Sequence, residues 1–250
     1  MTPAEPAPGV PAEHLAAIAV LGSRYGWRDA GVPEPVAQSV SNTNYRVMTA
    51  SGAHFIRVHR AHMTLERIER EQAAMRWAGE RGVPVAPAIA DGTGQRVHRI
   101  GGAFWTVSPW VGGRSLLRGT MTADEAALLG AIAGRLHAVL REWPAGDLHK
   151  NSELGWDTER SIAELSRIDD LIRYYPAPPE DQLQAQRWLR AQLARLESGV
   201  ARPSADFAAI PVQPTHGDPH ERNLMVDANG DAVAVVDWER FCLNPPAFEV

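Results

Sequence analysis

Between Ser39 and Val111 apolar and polar residues alternate in short runs broken by turn residues, a period of two that predicts strands. Tyr45–Thr49 and His54–Val58 flank Ala50-Ser51-Gly52 and read as a hairpin; Gln95–Ile100 and Ala103–Val107, joined by Gly101-Gly102, read as a second. One helix interrupts them, from about Leu65 to Arg81, closed by Gly82 with Pro84 just beyond. From Thr122 the period lengthens: Leu128, Leu129, Ile132, Leu136 and Leu140 recur at helical spacing behind a Thr122/Glu125 capping box. Two more helices are expected at about Thr158 to Tyr174 and Glu180 to Glu197, separated by Pro176-Ala-Pro-Pro179, which no helix tolerates internally. The pattern predicts an α+β chain in three parts: a leader and N-terminal helix over 1–35, a small antiparallel sheet with one helix over 36–108, and a mostly helical part over 109–250. The halves meet near Val111-Gly-Gly-Arg114.

Composition narrows this picture. The chain has 250 residues, 44% of them hydrophobic and 22% charged, which suits a globular body and excludes fibrous and disordered classes. Its net charge of -5 argues against a general nucleic-acid or anionic-membrane binder. Cys242 is the single cysteine, so no intramolecular disulfide framework or Cys-based zinc cluster can form, and a reducing compartment suits it. The Pro- and Ala-rich residues 1–11 lack the basic start and apolar core of a signal peptide, and no stretch reaches the roughly 18 apolar residues of a membrane span. A short disordered leader and a cytoplasmic body are the expectation. Of 25 basic residues only Lys150 is a lysine, so any mechanism needing one must use Lys150 or an arginine substitute.

The chemistry concentrates between Thr215 and Glu239. Leu224–Asp227 and Ala232–Val236 read as two strands folded about Asn229-Gly230. Residues whose numbers sum to about 459 then face each other, which sets Asn223 across from Val236 and Asp237. An Asn amide oxygen and an Asp carboxylate so placed are hard ligands suited to Mg²⁺ with phosphate oxygens. Asp218 lies on the loop leading in, facing the same ion. One carboxylate to orient a hydroxyl and accept its proton, with two ligands for a metal on a nucleotide, are the parts that phosphoryl transfer needs.

His216-Gly217-Asp218-x-His220-x-x-Asn223 followed by Val235-Val236-Asp237-Trp238-Glu239, with 19 residues from Asp to Asp, resembles the signature of the aminoglycoside phosphotransferase and choline kinase-like family. These are small-molecule kinases with a bilobal protein-kinase-like fold, and the order of elements from about Val36 to Val250 agrees. The resemblance implies Asp218 as catalytic base, Asn223 and Asp237 as magnesium ligands, and Ser108, Trp110 and Val111 in the interlobe hinge that binds the base of ATP or GTP. It implies that the Ser39–Asn44 turn covers the phosphates; that turn has no glycine, so the role falls to backbone amides and the hydroxyls of Ser41 and Thr43. The acceptor implied is a small-molecule hydroxyl, on an amino sugar or antibiotic, a choline-like alcohol, a homoserine-like compound or a sugar. Only thirteen residues follow Asp237, so the acceptor half of the C-terminal lobe is expected to be missing.

In such a fold a cation on the third strand pairs with a Glu on the small-lobe helix. Here the strand position is Arg57, flanked by Ile56 and Val58 on the opposite face, and Glu71 alone among its acidic neighbours shares a stripe with Ile68, Met75 and Ala78. A carboxylate on a buried stripe calls for a partner, and Arg57 is the candidate. Two other readings stay open. Arg57 in place of lysine and the glycine-free turn suit a kinase-like domain that binds nucleotide without transferring phosphate. His216, Asp218 and His220 have the donor chemistry of a zinc or iron hydrolase cluster. His216 is expected to brace backbone near the loop, Trp110 to pack at the hinge, and His137 to be a satisfied helix-face histidine.

Overall fold

A computed structural model describes residues 9–36, 42–144, 146, 148, 158–174, 179–198 and 210–249. It forms two compact units, one of residues 1–149 with 213–250 and the other of residues 150–212. Residues 1–8 of the expected leader, Ser39, Ser41 and Lys150 lie outside the described residues.

The first unit begins with helix α1 (Ala12–Arg24), followed by strands β1 (Glu34–Pro35), β2 (Thr43–Thr49) and β3 (Gly52–Val58). Helix α2 (Leu65–Glu80), β4 (Val97–Ile100) and β5 (Ala103–Pro109) complete a five-stranded antiparallel sheet in the order β1-β2-β3-β5-β4. Its register sorts side chains by face. Asn44 opposes Arg57 and Arg57 opposes Thr106, while Tyr45 opposes Ile56 and Ile56 opposes Val107. The apolar set, Tyr45, Val47, Ile56, Val58, Trp105 and Val107, is sealed by Ala17, Ile18 and Leu21 of α1. Arg57 therefore stands on the opposite face, which α2 covers at one end, where Ile68 packs with Met63, Val97 and Phe104.

Thr64 opens α2 by accepting the Arg67 amide, and further along the helix Ala74, Met75 and Ala78 enter a second core with Leu116, Leu224, Val226, Val235 and Trp238. Helix α3 (Ala123–Leu140) adds Leu136 and Leu140 to that core, and its Thr122/Glu125 capping box is formed as expected. Around it lie β6 (Arg114–Ser115), β8 (Leu224–Val226) and β9 (Ala232–Val235) in one sheet, and β7 (Gln213–Thr215) paired with β10 (Cys242–Asn244) in another. Strands β1, β6, β7 and β10, of two or three residues each, are additions to the pattern read from sequence.

The second unit carries α4 (Thr158–Arg173) and α5 (Glu180–Glu197), at the expected positions. Asp169 fastens the pair: its carboxylate takes Arg190 Nε at 2.9 Å and Arg173 at 3.0 Å. Among the described residues no helix is long and apolar enough to cross a membrane.

Candidate active site

The loop after β7 is fixed one residue at a time. His216 is fully buried; its Nδ1 accepts the Asp218 amide at 3.3 Å, so its Nε2 carries the proton and donates to the Val236 carbonyl at 3.1 Å. Burial holds its pKa below the ordinary imidazole value, which keeps the ring neutral and makes it a brace, as expected from sequence. Gly217 has φ +91, and a Cβ there would stand 2.1 Å from the Arg240 carbonyl oxygen, so both its conformation and its neighbour demand glycine. Its amide donates to the Glu249 carboxylate, whose other oxygen contacts His137 Nε2 at 2.8 Å. Asp218 follows with its side chain 35% exposed, flanked by His220 Nε2 and Arg240 Nε, each 3.7 Å from Oδ2.

A 3₁₀ turn at Glu221–Asn223, capped by the His220 ring accepting the Arg222 amide, brings Asn223 back to the loop. Asn223 Nδ2 donates to the Asp218 carbonyl at 2.9 Å, leaving its Oδ1 as the atom to offer a cation. The pairing of Leu224 with Val235 and Met225 with Ala234 meets the expected sum of 459, and the Val236 amide donates to the Asn223 carbonyl at 2.9 Å. Asp237 comes next at φ 63, ψ 61, a left-handed conformation that costs a non-glycine residue about 1 kcal/mol or more. Asn223 and Asp237 supply hard oxygen donors and so fit Mg²⁺. The zinc or iron cluster is not formed. Both His216 nitrogens are committed to backbone, and among the described residues no group of three or more His, Cys, Asp or Glu could hold a metal.

On the sheet side Arg57 Nη1 lies 3.9 Å from Glu71 Oε1, the pair expected from sequence, and 3.6 Å from Glu239 Oε1, a partner sequence did not supply. Arg60 Nη2 reaches Glu239 Oε2 at 2.5 Å, Asn42 Nδ2 donates to Glu239 Oε1, and Arg67 Nη2 donates to the Glu239 carbonyl at 2.7 Å. Burial pushes Glu71 up to about 7 despite Arg57, with the charges of Glu239 and Asp237 acting in the same direction. Burial also works against the Glu239 carboxylate, but hydrogen bonds from Arg60 and Asn42 and the charges of Arg57 and Arg60 outweigh it and hold its pKa below the ordinary value.

A model of the phosphotransferase enzyme family matches residues 33–250. The chain belongs to that family. It is a small-molecule kinase, as its loop signature led us to expect. No curated protein matches it in sequence. Among solved structures it resembles a spectinomycin phosphotransferase in complex with ADP and spectinomycin, at 14% identity and TM-score 0.69, covering 93% of this chain and 70% of that one. It also resembles an aminoglycoside phosphotransferase from Alicyclobacillus acidocaldarius, at 16% identity and TM-score 0.68, covering 97% and 70%. The amicoumacin kinase hAmiN in complex with AMP-PNP, Ca²⁺ and Ami aligns at 17% identity and TM-score 0.64, over 95% and 67%. These likenesses bear out the α+β, bilobal kinase-like fold.

At the far end of the sheet the phosphotransferase keeps an aromatic corner. The Trp110 amide donates to the Ala53 carbonyl at 3.0 Å, its ring carries the Arg46 guanidinium 5.1 Å above the centroid, and Phe55 lies 6.4 Å away. Ser108 is half-buried opposite Phe55, and Val111 follows, also half-buried. Thr43 is the exposed first residue of β2, opposite Val58. Sequence reasoning quoted Glu239 only as the end of a motif and missed Arg60, Asn42, Arg240 and Glu249. These pairings join segments more than a hundred residues apart or sit on irregular turns, where no periodicity marks them. The charge of Glu239 beside a buried Trp238 was the one available signal.

Proposed function

We propose that this phosphotransferase transfers the terminal phosphoryl group of Mg²⁺-bound ATP or GTP directly to a hydroxyl of a small molecule, in the cytoplasm. Asp218 accepts the hydroxyl proton while the hydroxyl oxygen bonds to phosphorus and the bond to the nucleoside diphosphate breaks. Asn223 and Asp237 would hold the metal, which supplies charge neutralisation on the phosphoryl oxygens. Arg57, kept in place by Glu71, serves the phosphates together with the turn that carries Ser41 and Thr43. Ser108, Trp110 and Val111 receive the base.

The observation that carries this reading is the closed circuit around Val236. Its carbonyl takes His216, its amide reaches the Asn223 carbonyl, the Asn223 side chain returns to Asp218, and the Asp218 amide closes on His216, so Asp218 and Asn223 are tied by 2.9 to 3.3 Å bonds to the residue that precedes Asp237. Neighbours named for spectinomycin, amicoumacin and aminopropanol support a small hydroxylated acceptor. The test is nucleotide consumption with Mg²⁺ against amino sugars, choline-like alcohols and amino-acid alcohols. At least one acceptor should raise turnover, and Asp218→Ala should lower it by about 10²- to 10⁴-fold while nucleotide binding persists. Turnover retained in Asp218→Ala would sink the assignment; binding without any turnover would make the chain a nucleotide-binding module.

A further inference from the structure

Glu34, Arg46, Phe55 and Ser108 stand in one row across the sheet: Glu34 opposes Arg46, Arg46 opposes Phe55 and Phe55 opposes Ser108. By the alternation of strands this row shares its face with Arg57, and Phe55 precedes Arg57 by two residues on β3, about 7 Å along the strand. The Arg57 guanidinium carbon lies 5.7 Å from the Phe55 ring centroid. A base on Phe55 would therefore hold its phosphates toward Arg57. Phe55 is half-buried beside the residues proposed to receive the base, and every base has a π-face to lay on such a ring.

Stacking tolerates any base; contacts to the base edge choose one. Neither of the two residues after Ser108 offers an amide for that purpose: Pro109 has no N–H, and the Trp110 amide is spent on the Ala53 carbonyl at 3.0 Å. The strongest donor in the row is Arg46. Its pair with Glu34 is long, Nη1 to Oε2 at 3.5 Å between side chains 37% and 64% exposed, and an exposed pair of this kind is worth little. Its Nε is buried with no hydrogen-bond partner, and its guanidinium is laid against the Trp110 ring, 5.1 Å from the centroid. These contacts aim the guanidinium without using up its N–H groups.

A guanidinium only donates. Guanine presents two adjacent acceptors, O6 and N7, that match its fork, whereas adenine sets an amine beside N7, a donor against a donor. The difference between the two bases falls on the atoms that such a group reads.

We propose that Arg46 selects guanine, with the base laid on Phe55 and two guanidinium N–H groups given to its O6 and N7. This rests on the nucleotide-dependent reading above and adds to it the identity of the phosphoryl donor, GTP in preference to ATP.

The test is calorimetric titration of GDP and of ADP, each with Mg²⁺, into the full chain, comparing the parent with Arg46→Met and Arg46→Lys. The two nucleotides carry the same phosphates and charge, so the ratio of their affinities isolates the base. The parent should bind GDP about tenfold more tightly than ADP, the discrimination of one bidentate pair. Arg46→Met keeps an unbranched stem against Trp110 and should lose that ratio by weakening GDP while leaving ADP nearly unchanged; general damage to the sheet would weaken both alike. Arg46→Lys, with one ammonium in place of the fork, should fall between and gives the answer alone if the first variant does not fold. A parent that binds ADP as tightly as GDP, or a folded variant that keeps the parent's ratio, overturns the assignment of Arg46 and leaves the kinase reading intact. No binding of either nucleotide by the parent overturns both.

Discussion

Gly217 and Arg240 meet so closely that any side chain on Gly217 would collide with the Arg240 carbonyl oxygen, 2.1 Å from the position of a Cβ. The contact sets the residue before Asp218 against the turn that follows Asp237, so the proposed base and the proposed metal ligand share one backbone junction. Gly217→Ala must change φ from +91 and open that junction. The expected result is a loss of about 3 kcal/mol or more in urea unfolding, with turnover abolished in whatever fraction stays folded.

Glu71 gives the protein a pH dependence of definite sign. Its carboxyl is raised from 4.5 to about 7, chiefly by burial, so folding favours its protonated form. That contribution is present in full below pH 4.5 and is lost as pH rises through about 7. Glu71→Gln removes the titration. The stability of the variant relative to the parent should therefore improve from pH 5 to pH 8, by at most about 3 kcal/mol, in paired thermal or urea denaturation series. A difference that is flat with pH would show that Glu71 stays ionised throughout.

Arg57 sets one nitrogen, Nη1, between the Glu71 and Glu239 carboxylates, and its planar guanidinium carries further N–H donors that a compact ammonium cannot present in the same fork. Arg57→Lys should fold, because the stem still lies along the same sheet face, but its ammonium cannot engage two phosphate oxygens in the bidentate manner of a guanidinium. Nucleotide affinity should fall severalfold in a fluorescence or calorimetric titration. A rise would mean the site is built for lysine.

Much of this arrangement was legible in the chain because it rests on short-period patterns. The Arg57–Glu71 pair follows from one strand face and one helix stripe. The 224–235 register follows from two apolar runs around a turn. That register slips by one at Val226, which pairs with Ala232, because the Asp227 carboxylate takes the Asn229 and Asp231 amides and builds a wider loop than the Asn-Gly signal predicts. What stayed hidden depends on long-range packing. The Glu239 cluster joins Asn42 and Arg60 to a turn near residue 240, and the Glu249 contact with Gly217 and His137 joins three separate elements. Strands of two or three residues, such as β6 and β10, are set by those contacts rather than by local propensity.

Asp237 separates backbone from chemistry most cleanly. Asn tolerates the left-handed conformation at φ 63, so Asp237→Asn should keep the fold while removing the carboxylate proposed to hold Mg²⁺. The decisive measurement is calorimetric titration of ATP into parent and Asp237→Asn, each with Mg²⁺ and with EDTA. The parent should bind ATP at least about tenfold more tightly with Mg²⁺ than without, and the variant should show no such gain. A variant that keeps the full Mg²⁺-dependent gain would contradict the assignment of Asp237 and, with it, the phosphoryl-transfer site described above.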